Sequence, residues 1–123
     1  VAVPILKQGD VLIASMQEAL SDRALVELRD TLSERVGRIR ARGVIIDVTA
    51  LDVVDSFATR TIRGIAYTAK LRGARTVVVG IQPEVAFAMV ELGLTLDGVD
   101  TALDLEEGLA LLGRGARSGR DAR

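Results

Sequence analysis

Two rhythms of apolar positions alternate along this chain, and the places where one gives way to the other mark its elements. Two short apolar runs, Val3 to Lys7 and Val11 to Gln17, flank the spacer Gln8-Gly9-Asp10. A glycine in so short a polar spacer predicts a hairpin between antiparallel strands. In the second run Leu12, Ala14 and Met16 fall on one face and Val11, Ile13 and Ser15 on the other. Both faces are therefore expected to be covered. The spacing then changes to three and four. Leu25, Leu28, Leu32, Val36 and Ile39 form the apolar stripe of a long helix, with Ser21-Asp22 at its start and Gly43 expected to stop it.

The β-branched run Val44 to Val48, broken by Asp47, predicts an interior strand. Asp55-Ser56 opens a second helix whose stripe is Ala58, Ile62, Ile65 and Ala69, closed by Gly73. Thr76 to Gly80 predicts another buried strand. Pro83 suits the first turn of a third helix, with Val85, Met89 and Leu92 facing inward and Gly93 ending it. Phe57 and Phe87 also sit at core spacing. A short strand over Thr101 to Leu103 precedes Asp104-x-x-Glu107, which resembles a capping box and opens a helix through Leu105, Leu109 and Leu112. The domain is expected to span residues 1–113. The glycine- and arginine-rich segment 114–123 has no periodicity and is expected to be a disordered tail. The order is β-β-α-β-α-β-α-β-α: an α/β chain with a mixed sheet, an antiparallel hairpin followed by parallel, right-handed crossovers.

Composition narrows the chemistry. The 123 residues fit one domain and include no cysteine and no histidine. Disulfides, thiolate nucleophiles and the usual zinc sites are excluded, and so is the commonest general base. No catalytic residue, metal or cofactor is expected. Net charge is −1, with one tyrosine and two phenylalanines, so neither a basic face nor stacking aromatics point to nucleic acid. No run is long enough to span a bilayer and no basic-then-apolar leader opens the chain, so a cytoplasmic, membrane-free protein is expected.

The sharpest segment is Asp47-Val48-Thr49-Ala50-Leu51-Asp52-Val53-Val54-Asp55-Ser56-Phe57. Ser56 arrives at the mouth of a helix, where unpaired amides point outward and the dipole supplies roughly half a positive charge. A phosphate there would bring about −1.5 to −2 charges beside Asp52 and Asp55. The plain alternative is that Asp55 or Ser56 caps the helix, which is what such residues usually do. A magnesium-binding phosphoacceptor centred on Asp47 lacks its acidic pair and its lysine, since Lys70 lies deep in a helix. A serine hydrolase lacks a base and a Gly-x-Ser-x-Gly elbow.

The stretches VIIDVTALDVVDSFATRTI and GARTVVVGIQPEVAFAMVELGL resemble the STAS domains of bacterial anti-anti-sigma factors over nearly the whole chain. VLIASMQEAL and TALDLEEGL are similar to the small stressosome-scaffold members. The resemblance implies a non-catalytic binding module in which Ser56 matches the serine phosphorylated by a partner kinase. That partner is implied to be an RsbT-like kinase of the GHKL class, captured by the unmodified protein and released after phosphorylation. RsbR-like multidomain paralogues are implied as co-assembly partners, with self-association possible in a scaffold. Those paralogues carry a further hydroxyl along the third helix and an N-terminal sensor domain; residues 81–94 here contain no serine or threonine, and the chain is expected to be domain-only. Two alternatives remain within the family: an antagonist that binds an anti-sigma factor kinase, and the STAS tail of a transporter. Asp52, Asp55, Ser56, Gln82 and Glu84 are the expected partner-facing residues, with Thr49 and Thr59 as secondary acceptors.

Overall fold

A computed structural model describes residues 3–121, with side chains through 113. The opening hairpin pairs β1 (Ile5–Gln8) with β2 (Val11–Ser15), Gln8 opposite Val11. Gly9, at φ 62°, supplies the positive φ that the first residue of a two-residue turn requires. β3 (Gly43–Asp47), β4 (Arg75–Val79) and β5 (Asp100–Ala102) follow in parallel, and the sheet order is β1-β2-β3-β4-β5. The expected mixed α/β sheet is the observed one.

That order decides where the helices go. Right-handed crossovers that all step the same way across a sheet leave their helices on one face. α1 (Asp22–Ile39), α2 (Ser56–Leu71) and α3 (Pro83–Glu91) are those crossovers. They bury Leu25, Leu32, Ile62, Ile65, Val85 and Met89 against Leu12, Val44, Ile46 and Val78. α4 (Leu105–Asp121) covers the opposite face, where Leu112 packs with Val11, Ile13, Ile45, Val77 and Val79. Both faces of the central strands are thus dry, as their continuous apolar runs require.

Several expectations change. α1 stops at Ile39, before Gly43. Arg40 takes the left-handed conformation (φ 54°, ψ 51°), and the Ala41 amide reaches back to the Val36 carbonyl. An arginine thereby fills the closing position that glycine usually holds. Gly43 instead opens β3, where a Cβ would lie 2.5 Å from Leu112 Cδ1; its role is to let α4 approach the sheet. Gly73 and Gly93 do close α2 and α3, each at positive φ with paired back-reaching amides. Phe87 and Leu92, expected in the core, are each 70% exposed beside Val90 at 78%. α3 is only nine residues long, and Val85 and Met89 alone fill its inward stripe. The backbone of α4 runs through positions 114–121, where a disordered tail was expected: single glycines cost a helix only about 1 kcal/mol each and do not by themselves end it. Ala122 and Arg123 lie outside the described residues. Among the described residues, no helix is long and apolar enough to cross a membrane.

Candidate functional site

The site is built on the carboxyl edge of the sheet, where β3 gives way to α2. Asp47, the last residue of β3, turns its carboxylate onto the chain ahead. It accepts from the Thr49 amide at 2.9 Å and the Thr49 hydroxyl at 2.6 Å. The Leu51 amide then bonds the Val48 carbonyl, folding the loop over. Leu51 and Val54 are buried in the main core and hold the loop down, while Asp52 and Val53 between them stand in solvent. Alternating anchors and exposed residues give this loop a fixed shape with an exposed acidic crest.

Asp55 is the N-cap of α2. Its backbone is extended (φ −84°, ψ −177°), and its carboxylate accepts from the Ala58 amide at 2.8 Å. Ser56 is the first helical residue and is exposed. The two roles open in the sequence are therefore divided: Asp55 caps and Ser56 is left over. Among the described residues, no hydrogen bond involves the Ser56 hydroxyl or the amides of Ser56 and Phe57. Thr59, by contrast, is 1% exposed and donates its hydroxyl to the Asp55 carbonyl at 2.8 Å. That hydroxyl is closed to a partner. Thr49 is exposed, with its hydroxyl held by Asp47.

The loop after β4 joins the same edge. Gly80, at φ 83°, lies so close to Thr49 that a Cβ would meet the Thr49 hydroxyl oxygen. Gln82, the N-cap of α3, makes no side-chain cap; its Nε2 donates to the Thr49 carbonyl at 2.7 Å. Gln82 thereby ties the two loops together. Glu84 is exposed in the first turn of α3. Asp52, Asp55, Ser56, Gln82 and Glu84 thus share one edge, but no hydrogen bond or ion pair among the described residues links Gln82 or Glu84 to the other three.

Two features were not read from the sequence. One is the Gln82–Thr49 tether, for which Gly80-x-Gln before a helical proline was the available signal. The other is Arg60, whose guanidinium carbon stands 5.8 Å from the Phe57 ring centroid.

Open α/β sheets usually hold ligands in a crevice where the strand order reverses. This strand order never reverses. The cavity beside Asp55, lined by Met16, Leu20, Leu51, Val53 and Ala58 among others, measures about 40 Å³. That admits a water and not a small-molecule substrate. Asp47, Asp52 and Asp55 do not gather as metal ligands either, and no such acidic group of three forms among the described residues. What this edge presents is a surface with a free hydroxyl.

The STAS domain family matches residues 2–108. The chain belongs to the STAS domain family. Among solved structures this STAS domain is similar to a serine-to-glutamate variant of RsbS from Moorella thermoacetica, at 38% identity and a TM-score of 0.81. That match covers 94% of this chain and 97% of the other. A chain in a structure describing the molecular architecture of the stressosome, a signal integration and transduction hub, matches at 39% identity and a TM-score of 0.78, covering 93% and 99%. A curated relative, the RsbT co-antagonist protein RsbRA of Bacillus subtilis (strain 168), is 33% identical over 82 residues, 67% of this chain. The match spans 30% of that relative's own length. The resemblance to stressosome STAS proteins read from the sequence is thus upheld by both sequence and fold.

Proposed function

We propose that this STAS domain is a cytoplasmic, non-catalytic stressosome scaffold that captures an RsbT-like kinase of the GHKL class and releases it when Ser56 is phosphorylated. The observation that carries this reading is the division of labour at the start of α2: Asp55 holds the helix, and the adjacent Ser56 hydroxyl stands exposed with no structural task. The kinase supplies the chemistry. The Ser56 oxygen attacks the terminal phosphorus of ATP, the bond to ADP breaks, and the hydroxyl proton is lost to the kinase or to water. The product carries about −1.5 to −2 charges within a few residues of Asp52 and Asp55. At an interface that excludes water, a phosphate newly set at this acidic crest is costly to desolvate, and the complex comes apart.

The partner surface consists of the Asp52–Ser56 crest, with Glu84 beside it and Gln82 holding the two loops in register. Phe87 and Val90 on α3, with Leu92 at its C-cap, add apolar surface that a free monomer has no use for. They support co-assembly with RsbR-like STAS paralogues and with further copies of this chain.

The test is a pull-down of the kinase with and without ATP, followed by mapping of the modified residue. The expected result is capture without ATP, release with ATP, and one phosphate on Ser56. ATP alone, without kinase, should leave the chain unmodified. Equal kinase affinity for the plain and phosphorylated forms overturns the release mechanism, and a phosphate mapped elsewhere overturns the site.

A further inference from the structure

Arg60 lies one helical turn beyond Ser56 on α2, and residues four apart share a helix face. Helical side chains lean toward the N-terminus, so a long side chain at position 60 covers the first turn of α2, where Ser56 sits. At present its guanidinium hangs over the Phe57 ring at 5.8 Å, near the outer limit of an attractive cation–ring contact. Among the described residues Arg60 has no carboxylate partner. The other charged groups on this edge are differently disposed. Asp52 and Asp55 lie on the loop before α2, Glu18 on the loop after β2, and Glu84 on the first turn of α3. Arg23 pairs with Glu27 on α1, and Arg63 is held by the Thr95 carbonyl and hydroxyl at 3.3 and 3.2 Å. Among the described residues, Arg60 is the cation without a hydrogen-bonded or ion-pair partner that shares a face of α2 with Ser56.

We infer that Arg60 is the positioning residue for phosphorylated Ser56: its guanidinium leaves the Phe57 ring and pairs with the phosphate, laying it along the first turn of α2. This rests on the reading of Ser56 as the phosphate acceptor. The pairing is favoured because a dianion attracts a guanidinium more strongly than a ring face does, and offers it two oxygens at once. It also draws the phosphate away from Asp52 and Asp55. Phosphorylation then changes two things at the partner surface together, adding a charged pair at the helix start and uncovering the Phe57 ring.

The test installs phosphoserine at position 56 during protein synthesis, so that it does not depend on any kinase. The second ionisation of the phosphate is followed by phosphorus NMR against pH in the wild-type, Arg60→Gln and Arg60→Lys backgrounds. A phosphoserine alone titrates near about pH 6. Arg60→Gln should raise the midpoint by roughly 0.3 unit or more relative to wild type, the strength of an exposed pair one turn apart. Arg60→Lys should restore most of the difference, because it keeps the charge. In the wild type, the Arg60 side-chain resonances shifted by the Phe57 ring should move when position 56 carries phosphate. Identical midpoints for wild type and Arg60→Gln, or unmoved Arg60 resonances, overturn the inference. A kinase that leaves Ser56 unmodified overturns the proposed function instead and does not alter this titration.

Discussion

Adjacent residues of similar polarity do opposite work at the start of α2. Asp55 accepts the Ala58 amide and so carries part of the helix's stability, whereas Ser56 makes no such bond. Asp55→Ala should therefore cost about 1 kcal/mol, within the usual range for a lost cap, and lower the urea midpoint. Ser56→Ala should move stability by less than about 0.5 kcal/mol, as exposed positions do, yet leave the chain kinase-bound in the presence of ATP. Equal destabilisation by the two variants would mean that Ser56 is a cap and its exposure incidental. The sequence placed both residues at a helix mouth but could not assign the roles, because aspartate and serine cap almost equally well. Backbone geometry made the assignment: the extended residue is 55, and the first helical one is 56. Thr59 was misleading for a related reason. Its neighbourhood is right, but a hydroxyl four residues into the chain from the cap faces the core and bonds backward to the Asp55 carbonyl.

At the scale of elements, the loops after β3 and β4 act as one unit because Gly80 permits it. A methyl group there would collide with the Thr49 hydroxyl, and φ 83° is strained for any side chain. Gly80→Ala should thus cost about 1–2 kcal/mol from the backbone alone, with more from displacing Thr49. It should also loosen the Gln82–Thr49 tether and weaken kinase capture in a binding titration. Gly98→Ala is the control. It too has positive φ (80°) but open space around it, so it should lose stability while capture is kept. The types and order of the elements were legible because their periods of two and of three to four are written directly in the apolar residues. Their ends were less so. Gly43 reads as a helix stop, yet Arg40 had already closed α1, and the glycine answers to Leu112 about seventy positions away in the chain. Phe87 and Leu92 keep core spacing on a helix too short to use it. The Gln82 tether is a side-chain-to-backbone bond between distant loops, and no local pattern encodes such a bond.

The whole molecule is one sheet with two unequal cores, and the site belongs to only one of them. Leu51, Val54 and Ala58 root the Ser56 loop in the larger core under α1, α2 and α3. Leu112 seals the smaller core on the far face, where Gly108 and Gly43 bring α4 within contact of Val79 and β3. Stability and partner capture should therefore separate by face. Leu112→Ala opens a cavity in the smaller core and should cost about 2–5 kcal/mol, read as a lower urea midpoint with little change in slope. Below that midpoint, where the chain is still folded, its affinity for the kinase should match the wild type's, because Leu51, Val54 and Ala58, which anchor the Ser56 loop, lie in the other core. Leu51→Ala has a similar expected cost but removes an anchor from the loop itself, so it should weaken capture as well as folding. Equal loss of kinase affinity in the two variants would show the faces to be coupled through the sheet. A difference confined to Leu51→Ala would place the binding surface on the carboxyl edge, supported from the helical side alone.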